Sequence, residues 1–184
     1  RNEYEEYQNL YSIDVILDRR YLMHLKVLAE EIGDAKLIEY INKYIDYRNA
    51  ITLVRAKSQN RTRNFLNSVL SSAGSIPKKD LIELAQSEEA EVIAYYKRTH
   101  LDKIFEEASE NDKINLSRLE AIIDDEWMLL MHEGKLTASG PLPILAYIHA
   151  NEIEVKNIRI LLLGKRTGMQ VDAIRERMRL NYVT

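Results

Sequence analysis

Apolar residues recur along this chain at three- and four-residue spacing, and no run of alternating β-branched residues bounded by hairpin turns occurs. The pattern predicts an all-α fold. Helices are expected over Ser12–Ile32, Ala35–Lys57, Arg61–Ser71, Lys78–Gln86, Glu88–Ala108, Arg118–Glu133, Leu142–Lys165 and Val171–Leu180. Ser117 with Glu120 three positions on forms a capping box for the sixth helix, and Gly33 and Gly134 stand where a left-handed residue ends a helix. In the last fifth of the chain, Ile144, Ile148, Val155, Ile158 and Leu162 form a stripe expected to be buried. Pro141 and Pro143 suit that helix's start, and Gly164 and Gly168 bracket Lys165 and Arg166 at its negative end. Val171, Ile174 and Met178 continue as a second stripe.

The same pattern occurs twice. A shift of 106 residues brings Ile13-Asp14-x-Ile16-Leu17-Asp18-x-x-Tyr21 onto Leu119-Glu120-x-Ile122-Ile123-Asp124-x-x-Trp127. A shift of 108 brings Ile45-Asp46-x-Arg48-Asn49 onto Ile153-Glu154-x-Lys156-Asn157, then Leu53 onto Leu161 and Lys57 onto Lys165. Two matches in one order and at nearly one offset define a repeat. The expected organisation is a first helical repeat with linking helices over 1–114 and a second over 115–184. The chain begins at Arg1 and holds somewhat less than two copies, so an upstream copy is expected to be missing.

At 184 residues the chain can bury roughly 70% of its unfolded surface without staples. It has no cysteine, which removes disulfides, thiolate catalysis and thiolate metal sites. Its longest apolar runs, such as Trp127–Met131 and Ile160–Leu163, are far too short to cross a bilayer. A net charge of −3 gives no whole-molecule attraction to nucleic acid or anionic lipid. Between Asp46 and Asp80, however, stand seven Lys or Arg residues and no acid. The ordinary reading is a solvated helix face; the alternative is a nucleic-acid-binding or scaffold module using Arg48 to Arg63.

No catalytic constellation emerges. Gly164-Lys165 is followed by Arg166 and has Arg159 where a P-loop needs its first glycine. His132-Glu133 begins like a zinc-protease motif, but Leu136 replaces the second histidine. His24, His100 and His149 lack the Glu-x-x-His element of di-iron bundles. Asp124, Asp125 and Glu126 beside Trp127 point in different directions on a helix, and a solvated face is expected; a helical enzyme with a carboxylate site is the weakest of the three function classes. Neither a cofactor nor a metal is expected. Asn49 and Asn157 stand out instead, as polar residues on apolar helical faces; they are expected to fix helix crossings through hydrogen bonds, the alternative being a lining that meets a partner. Arg159, Lys165, Arg166, Arg175, Arg177 and Arg179 make the C-terminal copy basic. Of these, Arg159, Lys165, Arg175 and Arg179 are the candidate partner contacts, against a solvated face with pairs such as Glu152 with Lys156.

The C-terminal segment contains Ala146-Tyr147-Ile148, Glu154-x-x-Asn157-Ile158-Arg159-Ile160, Gly164-Lys165 and Ile174-x-x-x-Met178-Arg179-x-x-Tyr182-Val183. In that order it resembles the signature of the C subunits of V-type and A-type ATPases, the family that includes the eukaryotic d subunit. Asp18-x-x-Tyr21 and Asp46-x-x-Asn49-x-x-x-x-x-Arg55-x-Lys57 resemble that family's middle region, so the likeness spans most of the chain. The resemblance implies three pseudo-symmetric helical units forming a funnel, of which two are present here. It further implies a mechanical, non-catalytic role on the cytoplasmic side of the membrane. There the protein would seat the central axle, made of the D and F subunits, on the rotor ring of c/K-type subunits and pass torque for proton or sodium transport. Neither nucleic acid nor a small-molecule substrate is expected as a partner on that reading.

Overall fold

The computed structural model describes residues 10–180, with side chains from Leu17 onward. Tyr182 and Val183 of the C-terminal signature, and the side chains of Ile13, Asp14 and Ile16 in the first repeat, lie outside the described residues. The chain divides into two compact units between Leu116 and Ser117. The first contains α1 (Leu10–Ile32), α2 (Ala35–Ser58), α3 (Arg63–Val69), α4 (Lys78–Leu84), α5 (Glu89–Tyr96), α6 (Asp102–Ala108) and a minimal hairpin of β1 (Ser109–Glu110) and β2 (Lys113–Ile114). The second is built from α7 (Leu116–Lys135), α8 (Leu142–Arg166) and α9 (Val171–Arg175).

In the first unit α2 is the hub. It buries residues on nearly every side, from Leu37 and Tyr40 through Ile45, Asp46, Asn49 and Leu53 to Ala56, as a helix apolar around most of its circumference must. Asp34 starts it by accepting the Leu37 N–H at 2.8 Å, which satisfies one of the four amides a helix start leaves open. Gly33 ends α1 at φ +75°, the left-handed conformation expected of it. Lys57 closes α4, donating to the carbonyls of Leu84 (3.3 Å), Ala85 (3.1 Å) and Ser87, where a cation also meets the negative end of that helix's dipole.

Several elements differ from the periodicity, each for a local reason. The single helix expected over Glu88–Ala108 is broken into α5 and α6. At the break Thr99 Oγ1 donates to the Tyr96 carbonyl and accepts from the Leu101 N–H, local bonds that compete with helix continuation. The reversal stacks Phe105 on Tyr96 with centroids 3.9 Å apart and buries Leu101 completely. Asn111 and Asp112, at φ 51° and 59°, form the turn of the hairpin, as a two-residue primed turn requires. Helix α7 begins at Leu116, which places Ser117 inside its first turn rather than at the N-cap. Gly134 lies within α7, not beyond it; a Cβ there would stand 3.3 Å from the Leu142 Cβ. Helix α8 continues through Gly164, where a Cβ would stand 2.6 Å from Ile174 Cγ1, so the missing side chain lets α9 pack onto α8. Helix α9 stops at Arg175 instead of Leu180, because the backbone at Arg179 and Leu180 is held by side chains of α7 and α8.

Gly74 meets the tightest constraint in the first unit: a Cβ there would fall inside the Asp46 carboxylate. That carboxylate is already held by Ser75 and Ile76 and has little room to turn. Gly74→Ala is therefore expected to cost about 1–3 kcal/mol of stability, read as a lower urea midpoint with unchanged slope; a midpoint equal to that of the parent chain would show that the 71–76 loop relaxes freely.

Candidate functional site

Each unit contains one buried asparagine that clamps a distant backbone residue. In the first, Asn49 Nδ2 donates to the Ser71 carbonyl and its Oδ1 accepts the Ser71 N–H, both at 2.9 Å. In the second, Asn157 Nδ2 donates to the Arg179 carbonyl at 3.0 Å and its Oδ1 accepts the Arg179 N–H at 2.8 Å. The clamped residue lies 22 positions downstream in both cases. A carboxamide places a donor beside an acceptor, matching both polar groups of one backbone residue, and no other side chain of that length can do so. Asp46, one turn before Asn49 and 1% exposed, extends the first clamp. It accepts the N–H groups of Ser75 and Ile76, both at 3.1 Å, and the Ser75 hydroxyl. Its repeat equivalent, Glu154, is exposed.

In the second unit the clamp is joined by charge. Asp124 Oδ2 accepts from Arg179 Nε at 2.8 Å and pairs with the Lys156 ammonium, while Asp125 Oδ1 accepts the Leu180 N–H at 2.9 Å. Burial pushes the Asp125 carboxyl above the usual carboxylate range, against the opposing pull of the Leu180 N–H and Arg179. The acidic run is thus a tether for the C-terminal segment, not the expected solvated face. Lys156 turns to Asp124 instead of Glu152, and Glu152 meets His149 Nδ1 at 3.3 Å. Arg179, expected at a partner surface, points its guanidinium inward, its side chain 11% exposed. Arg159, Lys165 and Arg175 are exposed. Arg175 makes a 3.8 Å contact with Asp172 in which both side chains lie open to water, an arrangement that contributes little.

The outward face of α8 is the larger correction. The helix buries Leu142, Ala146, Ile153, Asn157 and Gly164. The stripe expected to be buried is the opposite one: Ile144, Ile148, Val155, Ile158 and Leu162 are all at least half exposed. The packed side mixes the large Leu142 and Ile153 with Ala146, Asn157 and Gly164, and at Gly164 the absent side chain admits Ile174 of α9; hydrophobicity alone points to the other side. Ile148, Asn151, Glu152, Val155, Lys156 and Arg159 line a shallow groove along this face. The exposed apolar row is edged by the exposed Arg159 and Lys165.

The basic 48–63 segment does not form one continuous row. Lys57 is turned into its own unit, the Arg61 guanidinium lies 5.3 Å from the Phe65 ring centroid, and Arg48 and Arg55 line a cleft with residues of α1. Among the described residues no group of three or more His, Asp or Glu side chains is placed to hold a metal ion. His100 Nε2 lies 3.6 Å from Asp46 Oδ2, and His149 meets the edge of Trp127 at 5.9 Å. Burial lowers both imidazole pKa values, with the neighbouring acids Asp46 and Glu152 pulling the other way.

Comparison with known proteins places these features in a family context. The family model described as ATP synthase (C/AC39) subunit matches residues 1–177. The C subunit of the V-type sodium ATPase of Enterococcus hirae is 36% identical over 178 residues, covering 97% of this chain and 54% of that protein. The C subunit of the A-type ATP synthase of Haloquadratum walsbyi is 24% identical over 180 residues, covering 95% of this chain and 51% of that protein. For the protein of the same name from Halobacterium salinarum the identity is 26% over 191 residues, covering 94% of this chain and 51% of that protein. The chain thus spans about half the length of the curated relatives it matches. No solved structure gives a significant match.

Removing either clamp strands a buried carbonyl and N–H, so Asn49→Ala and Asn157→Ala are each expected to cost about 1–3 kcal/mol, measured by chemical denaturation; a loss below a few tenths would show that water replaces the amide at no cost. The histidines set a pH dependence. Their folded pKa values lie below the ordinary imidazole value of 6.5, so just under 6.5 the unfolded chain binds more protons. Stability is therefore fully present above that value and falls as the pH drops through the window. Thermal melts should show this slope, and His100→Gln with His149→Gln should flatten it.

Proposed function

The chain belongs to the ATP synthase (C/AC39) subunit family, and from that membership we propose that it acts as a non-catalytic rotor component of a V/A-type ATPase. On this reading it seats the axle of D and F subunits on the membrane rotor ring of c/K-type subunits and passes torque between ATP turnover and ion movement. The observation that supports it most is the outward face of α8. Five large apolar side chains lie open along some five turns, edged by Arg159 and Lys165, as expected of a helix that meets another protein. Arg175 adds a third exposed cation beyond the helix end. These charges would govern specificity and association rate, with the apolar row supplying most of the affinity.

A mechanical part needs stiffness, and the two asparagine clamps with their charged extensions support that requirement. No described helix is long and apolar enough to cross a membrane, in keeping with a peripheral component on the cytoplasmic face of the complex. The nucleic-acid reading is the less favoured one, since Lys57 turns into its own unit and only Arg48, Arg55, Arg61 and Arg63 of the segment are exposed.

Size-exclusion chromatography with a purified D/F axle tests the proposal, using the chain alone and within the full-length protein. Co-elution is expected, and Ile148→Asp with Val155→Asp should abolish it while circular dichroism stays unchanged. Arg159→Glu with Lys165→Glu should slow association and flatten its salt dependence. If the double aspartate variant co-elutes like the parent, α8 is not the contact; if neither length of protein binds, the axle-seating role fails.

A further inference from the structure

The two ring nitrogens of His149, on α8, have unlike surroundings. Nδ1 lies 3.3 Å from Glu152 Oε2, one turn further along the helix. Nε2 is buried and has no hydrogen-bond partner in the described structure. The ring packs edge to face with Trp127 of α7, centroids 5.9 Å apart and planes at 73°. Only 13% of the His149 side chain is exposed, against 70% of that of Glu152. A carboxylate can only accept, so Nδ1 carries the proton and donates to Glu152. Nε2 is then a bare acceptor. Protonation would place a charged N–H there with no acceptor to meet it, which costs more than an unmet acceptor does. The seat therefore fits the neutral ring only.

The charged groups around the ring do not remove that penalty. Burial is the largest influence and holds the imidazole pKa below 6.5; Glu152 and Asp124 pull the other way, and Lys156 adds to the lowering. Asp124 is already engaged by Lys156 and by Arg179 of the C-terminal segment, and Asp125 is turned to the Leu180 N–H. Because the folded value lies below the unfolded one, the packed ring is favoured above 6.5 and loses its advantage as the pH falls. Packing alone does not call for an imidazole here. At the matching position of the doubled sequence pattern the first unit has Ile41, which is buried and cannot titrate. Glu152, the other half of the pair, lines the groove on the outward face of α8 with Ile148, Val155 and Arg159.

We propose that His149 is a proton-operated latch in the second unit. Neutral, it covers Trp127 and holds Glu152 at the rim of the α8 groove; protonated, it leaves that seat for water, uncovers Trp127 and frees Glu152. Released, the Glu152 carboxylate no longer has a fixed place beside the apolar row, and the groove loses one of its defined walls. Acidification thus weakens docking on α8 without unfolding the helices. The link to docking rests on the α8 face being the partner contact, whereas the latch itself does not.

Trp127 is the one tryptophan of the chain, so intrinsic fluorescence and a single indole N–H resonance report on this seat. In a titration of the full chain from about pH 8 to about pH 5, emission should move to longer wavelength and the indole resonance should shift with it. The expected midpoint lies below 6.5, with far-UV circular dichroism unchanged. His149→Gln and His149→Ile should both remove the transition, and His132→Gln, on the neighbouring helix, should keep it. A constant indole signal would overturn the latch, as would a transition that survives in both His149 variants or that coincides with loss of helicity. A second arm measures affinity for the D/F axle at both ends of the range. The parent should weaken several-fold more than His149→Ile on acidification. An intact indole transition with equal weakening of the two proteins would overturn the control of docking; the same transition with no axle binding at either pH would leave the latch standing and sink the α8 contact instead.

Discussion

A buried primary amide has two donors and an acceptor with two lone pairs, and few positions in a helical protein can satisfy them. Asn49 and Asn157 each commit one donor and the acceptor by gripping one backbone residue, Ser71 and Arg179, from inside a helix. The rest of each unit follows from that grip. In the first, Ser71 begins a loop that returns over α2, where Asp46 takes two further backbone amides and leaves space for nothing larger than glycine at position 74. In the second, the held residue ends helical structure after α9 and brings Arg179 and Leu180 against Asp124 and Asp125. A hydrophobic core specifies that helices pack; these polar bonds specify where the connecting chain lies.

Function follows from what the clamps leave over. In α8 the packed side carries Leu142, Ala146, Ile153, Asn157 and Gly164, and five large apolar residues, Ile144, Ile148, Val155, Ile158 and Leu162, are turned outward. A helix apolar on two faces is stable in water only if its second face is modest in area or is covered in an assembly. The family's place in a multi-subunit ATPase supports the second case. Positions that match in the doubled sequence pattern differ in surroundings: Lys57 caps a helix within its own unit, whereas Lys165 is exposed.

The helical class and the helix over Ala35–Ser58 were legible because spacing at 3.6 residues survives in the letters. Asn49 and Asn157 stood out because an amide among isoleucines and leucines demands an explanation. What the letters do not contain is direction. Hydrophobicity cannot say which of two apolar stripes on α8 is packed, and the smaller residues that mark close approach carry the weaker signal. Charge has the same ambiguity: Asp124 and Arg179 are 55 residues apart in sequence, and only the fold pairs them. The break at Thr99 and the Asn111-Asp112 turn rest on local side-chain and backbone bonds that compete with helix on nearly even terms, so periodicity alone extends the helix through them.

The central claim is that the two asparagines hold the chain at Ser71 and Arg179, and native-state hydrogen exchange at those two amides tests it most directly. The account predicts that both N–H groups, although outside regular helix, exchange as slowly as the core amides of the helices that hold them. Exchange at the rate of the surrounding loops, with the core helices still protected, would contradict it.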